Sequence, residues 1–434
     1  MTGKKSFVML LSVLLLSLGI MIFIGGTEPH TGYISTSGSE FDADLPSEET
    51  PIETQPLTVN VSVGAVEFAR LLEWNERFME EHAGLKVDVQ HVAPPDEYDW
   101  LSRQLKTGQA ADIVLAANEW IGEWATNGLL LNVDEFFKGD EQARHFPQLI
   151  RQMSWNGYIW GVPKEVDPYI LVWNESALRE AGWSYPPRTR ENLLELEQVF
   201  REQGRVGLYV DVKDPYALAS YWSVMQNESV PAWDELLNQE SFAETQEGAD
   251  EVEEKEKEKR ATWSLLNEGR IAMMIAPYSD YSRFRTEHLH IMPVNGLDSF
   301  SVEPQASGWL KGKSFAIPAG SDKKSAALEW IRFMTQEAVQ LELMASGSGL
   351  PANIDAYRSD VFRNLPQREA LLQAIEQGAA FPLHPDLPLA LRQHALDLDK
   401  LMNGEWTEEA ELLFRRHPVK PADVAANALN SSSD

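Results

Sequence analysis

Apolar and polar positions follow two different periods through the first part of the folded chain. Residues 57–63 (LTVNVSV) alternate with the period of two of a half-buried strand, and 86–92 (KVDVQHV) and 112–116 (DIVLA) predict two further strands. Between these segments, apolar residues recur at helical spacing over 66–82 and 98–107. Strands and helices therefore alternate, which predicts βαβ units and a mostly parallel sheet.

A second series of elements follows the first. Its predicted strands lie at 159–163, 169–173, 207–210, 271–276 and 314–317, and its predicted helices at 190–203, 215–225 and 324–335. The C-terminal third is predicted to be helical and to end in a periodic stretch over 407–415. Ligands of such sheets bind in loops beyond the carboxyl ends of the strands, so candidate ligand residues are sought there.

The N-terminus has the pattern of an export signal or a membrane anchor. Lys4 and Lys5 precede an uncharged apolar run, Phe7–Ile24, which as a helix would span about 27 Å at 1.5 Å per residue. Positive charges before the run place the rest of the chain outside the cytoplasm. Residues 1–26 are therefore predicted to be a signal or anchor helix, with retention favoured by its length and cleavage left open by the small residues that follow. Residues 27–56, rich in Ser, Thr, Gly, Pro and acidic side chains, are predicted to be a disordered tether.

Composition narrows the classes of protein that fit. The 434 residues, of which 43% are hydrophobic, suffice for two or three globular units. The formal net charge of -30 excludes nucleic acid as a predicted partner, because phosphate backbones need clustered Lys and Arg. The absence of cysteine excludes disulfides, thiolate metal sites and a lipid-modified cysteine. The charged run 244–260 predicts a solvated helix face, with a partner-binding surface as the alternative.

No catalytic or cofactor motif is present in the sequence. The chain lacks a nucleophile elbow, a phosphate-binding loop, a zinc-binding helix signature and a dinucleotide fingerprint. No cofactor and no metal are therefore predicted. The abundant acidic residues leave open a glycoside hydrolase with two carboxylates, although no spacing favours one.

Aromatic and polar residues meet in several of the predicted strand-end loops. Sugars present apolar C–H faces and a rim of hydroxyl groups, so their receptors combine aromatic platforms with carboxylate and amide hydrogen bonds. Four clusters have this composition, namely Asn118-Glu119-Trp120, Asp167 with Tyr169, Asp214 with Tyr216, and Tyr278 with Tyr281. Ordinary core packing is the alternative role for each aromatic residue.

At these clusters the chain resembles the bacterial extracellular solute-binding proteins of the sugar-binding, maltose-binding-protein-like family. The order and spacing of four motifs agree with those of the family over about residues 57–415. Any one of these motifs would be weak evidence, but four in the same order are specific. The motifs are ADIVLAANEWIGEWATNGLLLNV (111–133), WNGYIWGVPKEVDPYILVWNESAL (155–178), LNEGRIAMMIAPYSDY (266–281), and GWLKGKSFAIPAGSDKKSAALEWIRFMTQEAVQ (308–340) followed by SGLPAN.

The resemblance implies an α/β, two-lobed periplasmic-binding-protein-like fold with a ligand cleft between the lobes and several hinge crossings. The crossings are expected near Glu165, Gly308 and Leu350. The lobes would then comprise residues 57–165 plus 309–349, and 166–308 plus 350–434. The implied function is that of a monomeric receptor that closes around a carbohydrate and delivers it to the transmembrane permease subunits of an ABC importer.

The resemblance also implies a set of ligand-binding residues. The set is Asn118, Glu119, Trp120, Asp167, Asp214, Tyr216, Tyr278 and Trp309. Trp120 stands where the family's maltose binder has a basic ligand, and Tyr278 where it has a tryptophan, so a sugar other than maltose is expected. A membrane-anchored sensor that reports sugar to a signalling partner is the alternative function, and neither role is enzymatic.

Overall fold

The structure is a computed structural model that describes residues 55–94, 96–224, 251–294, 308–345, 349–365, 367–378, 385–389 and 391–393. The N-terminal apolar run, most of the predicted tether and the periodic stretch at 407–415 lie outside these ranges. No helix within the described ranges is both long enough and apolar enough to cross a membrane.

Strands and helices alternate through much of the chain, and most of those predicted from periodicity begin and end close to the predicted residues; the strands predicted at 159–163 and 169–173 are the exception. The strands are β1 (Leu57–Val61), β2 (Val87–His91), β3 (Ile113–Ala117), β4 (Leu130–Leu131), β5 (Ser154–Trp155), β6 (Tyr158–Ile159), β7 (Val162–Asn174), β8 (Val206–Val210), β9 (Ile271–Pro277), β10 (Leu289–Pro293), β11 (Leu310–Pro318) and β12 (Leu350–Pro351). The α-helices are α1 (Ala65–Glu81), α2 (Glu97–Thr107), α3 (Asn118–Thr126), α4 (Pro147–Gln152), α5 (Glu175–Glu180), α6 (Arg190–Glu202), α7 (Pro215–Val224), α8 (Glu251–Asn267), α9 (Tyr278–Phe284), α10 (Lys324–Met334), α11 (Glu337–Ala345), α12 (Asp360–Arg363) and α13 (Arg368–Glu376).

Local sequence signals set the ends of these helices, as α2 illustrates. The Asp96 side chain accepts a hydrogen bond of 2.9 Å from the Asp99 backbone N–H and so caps the helix start. Gly108, at φ 67°, ends the helix in the left-handed conformation that glycine adopts without a steric penalty. These two signals place Glu97 and Tyr98 in the first turn of α2.

Apart from the β5–β6 hairpin, the described strands form one mixed sheet with helices on both faces, which confirms the α/β class. The hydrogen-bonded order is β2-β1-β3-β11-β7-β9-β8, with β4 beside β11 and with β10 and β12 beside β7. At one end of the sheet the two faces are covered by separate cores that contain Phe315 and Trp124. At the other end the two cores contain Phe200 and Trp263. The sheet therefore carries two regions, each packed between layers of helices.

The prediction of a mostly parallel sheet is wrong at the centre of the sheet. Strands β1, β2 and β3 are parallel to one another, and β8 is parallel to β9, as βαβ units require. Between these groups, β11 runs antiparallel to β3 and β7, and β7 runs antiparallel to β9 and β10. Local alternation of strand and helix could not reveal this, because β11 and its neighbours are far apart in the sequence.

Two strands predicted separately at 159–163 and 169–173 are not the elements observed. Tyr158–Ile159 forms a short hairpin strand with Ser154–Trp155, and β7 then runs without a break from Val162 to Asn174. Pro163 and Pro168 both lie within β7, and a strand tolerates proline at an irregularity. The register of β11 against β7 shifts between Lys313 and Ser314, opposite the first of these prolines.

The three predicted crossing points lie side by side in the sheet. Leu350 pairs with Val166 and Pro351 with Glu165, while β11 begins just after Gly308 and pairs with β7 from Pro168 onwards. Both β7 and β11 contribute side chains to the cores at both ends of the sheet. The division of the chain into lobes at these points stays a prediction.

The described part of the charged run is helical, as predicted. Residues 251–260 form the first half of α8, and two of their side chains pair with α9 rather than with solvent alone. Arg283 donates two hydrogen bonds to the Glu256 carboxylate, at 3.0 and 2.9 Å, and Lys259 lies 3.0 Å from Asp280. These pairs attach α8 to the helix that follows β9.

Candidate functional site

Acidic side chains converge where strands from both regions of the sheet end. Glu119 lies in the first turn of α3 after β3, Asp214 precedes α7 after β8, and Asp280 lies in α9 after β9. Asp167 lies within β7. All four carboxylates act electrostatically on Lys311 of β11. The structure therefore brings three predicted acidic ligands together around a lysine that the sequence did not single out.

Asp167 is held by Ser279 and faces Lys311. Ser279 donates one hydrogen bond from its backbone N–H to Oδ1, at 2.9 Å, and one from its hydroxyl to Oδ2, at 2.6 Å. Lys311 is the direct cross-strand partner of Asp167, which places their Cβ atoms roughly 5 Å apart. Burial raises the pKa of Asp167 to about 6, against the opposing effects of Ser279 and Lys311. Asp167 therefore titrates close to neutral pH.

Asp214 connects two tyrosines to the start of α7. Its Oδ1 accepts a hydrogen bond of 2.9 Å from the Tyr216 backbone N–H, in the manner of a helix cap. Its Oδ2 accepts a hydrogen bond of 2.5 Å from the Tyr169 hydroxyl. The rings of Tyr169 and Tyr216 stack with centroids 5.6 Å apart and planes 11° from parallel. Burial and the neighbouring carboxylate hold the pKa of Tyr169 well above its usual value, so this hydroxyl stays a donor.

One carboxylate oxygen of Glu119 is available to accept a hydrogen bond from a ligand. Its Oε2 is buried and accepts no close hydrogen bond among the described residues, and the Tyr216 hydroxyl is the neighbouring donor that acts on the carboxylate. Burial raises the pKa of Glu119 above its usual value, while Lys311 opposes that effect. An unsatisfied buried acceptor costs about 1–3 kcal/mol, so a ligand hydroxyl donating to this oxygen would bind favourably.

Lys311 is exposed and lies near the face of Tyr216, with Nζ 5.9 Å from the ring centroid. Within the described part of the chain it makes no hydrogen bond and no ion pair within 4 Å. Although its side chain is exposed, Lys311 lies deep enough among neighbouring protein groups that desolvation acts to lower its pKa, and the carboxylates of Asp214, Glu119, Asp167 and Asp280 together raise the pKa above its usual value. Lys311 therefore stays charged.

A second lysine extends the charged surface towards α2. Lys313 donates a hydrogen bond of 2.6 Å to the Ser62 carbonyl and is the cross-strand partner of Glu165. Glu97, in the first turn of α2, lies close enough to Lys313 to feel its charge, and its Oε1 is buried without a hydrogen-bond partner among the described residues. Sequence inspection missed both Glu97 and the lysines, because their proximity depends on how β11 pairs with its neighbours.

The predicted aromatic ligands differ in accessibility. Tyr216, Tyr278 and Trp309 are 3%, 4% and 7% exposed, and each belongs to a core around β7 and β9. Trp120 is partly exposed, and its ring contacts Tyr98 with centroids 5.7 Å apart. Trp120 is therefore the predicted platform with the most accessible ring, and Tyr216 lies beneath the acidic cluster.

Asn118 is buried and engaged at both ends of its side chain. Its Nδ2 donates to Gln152 Oε1 at 2.9 Å, and its Oδ1 accepts from the Ser314 hydroxyl at 2.7 Å. The residue thereby ties α3 to α4 and β11, and its contacts orient the helix that carries Glu119. Its predicted role as a ligand residue is untested.

A buried lysine, Lys164, links α1 to β7 near the predicted crossing at Glu165. Lys164 Nζ lies 2.6 Å from Glu67 Oε1 and 2.5 Å from Glu165 Oε2, and the lysine side chain is 1% exposed. Burial acts to lower the pKa of Lys164, but the two carboxylates raise it above its usual value. The group is therefore charged, and it links the start of α1 to β7.

The cluster around Lys311 has the chemistry of a binding site for hydroxyl groups. Several carboxylate oxygens can accept hydrogen bonds from a ligand, the Lys311 ammonium can donate them, and the partly exposed Trp120 lies next to Glu119 in the first turn of α3. Within the described ranges no group of three or more His, Asp or Glu residues is placed to hold a metal ion.

The chain belongs to the bacterial extracellular solute-binding protein family, whose sequence profile matches residues 73–370. This membership confirms the resemblance and places the protein outside the cytoplasm. Over 353 residues the chain is 22% identical to the maltotriose-binding protein of Pyrococcus abyssi (strain GE5 / Orsay), a match that covers 78% of this chain and 76% of that protein.

Solved structures confirm the two-lobed periplasmic-binding-protein-like fold. The sugar-binding protein MalE from Xanthomonas citri superposes with a TM-score of 0.65 at 18% identity, covering 87% of this chain and 100% of that one. The Thermus thermophilus maltotriose binding protein, solved with maltotriose, superposes with a TM-score of 0.60 at 19% identity, covering 86% and 100%.

Proposed function

We propose that this protein is the carbohydrate receptor of an ABC importer. It closes around a sugar in the cleft between its two lobes and delivers the sugar, chemically unchanged, to the transmembrane permease. The observation that carries the proposal is the convergence of Glu119, Asp167 and Asp214 around Lys311, in a chain of the solute-binding family. The binding of maltotriose by relatives supports a carbohydrate as the ligand class.

The layout of the cores supports closure about the predicted crossings. Each region of the sheet has its own pair of cores, and the strands that join the regions are β7 and β11, with β12 beside them. The carboxylates of the cleft come from both regions, since Glu119 follows β3 and Asp214 follows β8. A ligand that bridges them stabilises the closed arrangement, which is how a hinge converts binding into a signal for the permease.

A ligand screen tests this function directly. The full chain, purified in detergent, is heated with a panel of neutral mono- and oligosaccharides that includes maltotriose. One carbohydrate class should raise the melting temperature, because stabilisation follows RT ln(1 + [L]/Kd) and reaches about 2.7 kcal/mol at a hundredfold excess over Kd. The sugar recovered afterwards should be intact by mass spectrometry. A folded protein that responds to no sugar, or that cleaves one, contradicts the proposal.

The same ligand locates the site. Glu119→Ala should weaken binding at least tenfold, or about 1.4 kcal/mol, because the ligand loses a buried carboxylate acceptor. Glu135→Ala is the matched control, since that exposed side chain pairs with Lys324 and should leave the affinity unchanged. Equal affinity of Glu119→Ala and wild type, measured by calorimetry, would place the sugar elsewhere.

Affinity should depend on pH through Asp167. Only the charged carboxylate accepts two strong hydrogen bonds, so binding favours deprotonation and the affinity should fall as the pH drops below about 6. The linkage to folding has the opposite sign. The folded pKa lies above that of an unfolded aspartate, so this group contributes stability at low pH and loses it as the pH rises through about 6.

Calorimetric titrations with the sugar between about pH 5 and 8 check the sign for binding, and chemical denaturation over the same range checks the sign for folding. Asp167→Asn should bind more weakly and show a flatter pH profile than wild type. Glu119, whose pKa burial also raises, accounts for any slope that remains. A wild-type affinity that is constant over this range would show that Asp167 does not receive a ligand hydrogen bond.

A further inference from the structure

We propose that Lys311 is a specificity-determining ligand residue, which donates hydrogen bonds to a carbohydrate oxygen, and that the carboxylates around it restrict the cleft to uncharged or cationic sugars. This inference rests on the proposed carbohydrate function and names the ligand's charge class and its principal donor.

The position of Lys311 is the first support. It faces Asp167 directly across the β7–β11 pair, and the next residue on the same face of β11, Lys313, faces Glu165. Lys313 is already engaged by the Ser62 carbonyl. Lys311, by contrast, is exposed and has no hydrogen bond or close ion pair within the described ranges. Of two lysines on one face, one is fixed by the protein and the other presents its three donors to the cleft.

The acceptors beside Lys311 are the second support. Glu119 has a buried oxygen without a partner among the described residues, and Asp167 uses each carboxylate oxygen once, on Ser279. A sugar hydroxyl both donates and accepts hydrogen bonds. A hydroxyl placed between Lys311 and Glu119 would accept from the ammonium and donate to the carboxylate, which satisfies both groups together.

The charge of the cluster determines the ligand class. Four carboxylates, from Glu119, Asp167, Asp214 and Asp280, act on the single ammonium group of Lys311. Asp280 is also paired with Lys259, so the carboxylates of Glu119, Asp167 and Asp214 are the ones that would repel an anionic ligand most. A ligand carboxylate or phosphate would gain the attraction of Lys311 and meet the repulsion of these three groups in a partly desolvated cleft. Uronic acids and sugar phosphates are therefore excluded, whereas neutral sugars and amino sugars fit.

The donor role is tested with Lys311→Met, which keeps the length and apolar stem of the side chain but removes the charge. Binding of maltotriose, or of the neutral sugar that stabilises the wild type most, should weaken at least tenfold by calorimetry. Lys324→Met is the matched control, because that lysine pairs with Glu135 outside the cluster and should bind as wild type does. Lys311→Arg should recover part of the affinity, since it restores a charged donor of different geometry.

Salt separates the donor role from simple neutralisation of the carboxylates. If Lys311 served only as a counter-ion, about 1 M NaCl would screen the carboxylates and remove the difference between Lys311→Met and wild type. A ligand hydrogen bond instead leaves the affinity ratio at tenfold or more in high salt. A ratio near one at either salt concentration overturns the donor role.

The charge class is tested with a matched pair of ligands. Maltotriitol and maltotrionate both have an opened reducing-end unit, and only the second carries a carboxylate. The wild type should bind maltotrionate at least tenfold more weakly than maltotriitol. If the protein prefers another sugar, the aldonate of that sugar should likewise bind at least tenfold more weakly than its alditol. Equal binding overturns the charge restriction while leaving the receptor function intact. A wild type that binds no carbohydrate at all overturns the proposed function itself.

Discussion

Lys164→Met should lower the free energy of unfolding by about 3–5 kcal/mol, because it removes a buried charge from between two carboxylates. The lysine is buried between Glu67 and Glu165, at 2.6 and 2.5 Å, and its removal leaves two carboxylates close together without their counter-ion. Lys164 and its two partners lie where α1 meets β7, so the loss acts on the contact between this helix and the strand. Chemical denaturation, followed by the change in midpoint at constant slope, measures the effect.

Two comparisons show whether buried charge is the cause. Lys164→Met combined with Glu67→Gln removes one of the two carboxylates left without a counter-ion and should recover part of the lost stability. Lys324→Met removes a half-buried lysine from a surface pair with the exposed Glu135 and should change stability by no more than about 0.5 kcal/mol. A single substitution at Lys164 as mild as this surface control would mean that the buried ion pair is not required.

Gly312→Ala should destabilise the protein by about 3 kcal/mol and weaken sugar binding, through a different physical cause. A Cβ at this position would lie 2.5 Å from the Glu165 carbonyl oxygen and 2.9 Å from Asn118 Nδ2. The first contact is with backbone, so the clash can be relieved only by moving β11 away from β7, and overpacking of this kind costs about 1–3 kcal/mol. The displacement would shift Lys311 and Lys313, which flank the glycine.

Gly320→Ala is the matched control, because no heavy atom lies within 4 Å of a Cβ at that position. Its stability should equal that of the wild type or rise by up to about 1 kcal/mol through a smaller unfolded-state entropy. Denaturation and calorimetry on both variants give the comparison. Equal stability of the two alanine variants would contradict the close contact between β11 and β7, because it would mean that a Cβ at position 312 fits between them.

The parts of the fold that the sequence predicted are those governed by short-range periodicity. Strands β1, β2 and β3 and helices α1 and α2 were recognised because apolar positions repeat every two or every three to four residues. The continuity of β7 was missed because Pro163 and Pro168 are usual signs of a strand end. The antiparallel centre was missed because no local pattern states which distant strand lies beside β3 or β7.

The residues of the candidate site also fall into those that the sequence could predict and those that it could not. Glu119 and Asp214 could be chosen because each follows a strand end next to an aromatic residue, and the family motifs supplied the order of the sites. Asp167 was chosen because a strand was predicted to begin at Tyr169, whereas in the structure it lies inside β7. Lys311 could not be chosen, since its importance comes from the register that sets it opposite Asp167. Burial of Tyr216, Tyr278 and Trp309 also depends on packing between distant helices, which sequence spacing does not report.

The uninterrupted course of β7 and β11 limits how this chain can be taken apart. A fragment that ended near Glu165 would carry β1, β2 and β3 but would lack β11, so β3 would present an unpaired edge on the side that β11 covers. The remainder would carry β11 with its β3-facing edge open. Exposed apolar edges of this kind recruit other chains and aggregate. Split reporters or separately expressed halves would therefore need both edges capped, whereas insertions at surface turns such as that of Gly320 leave every strand paired.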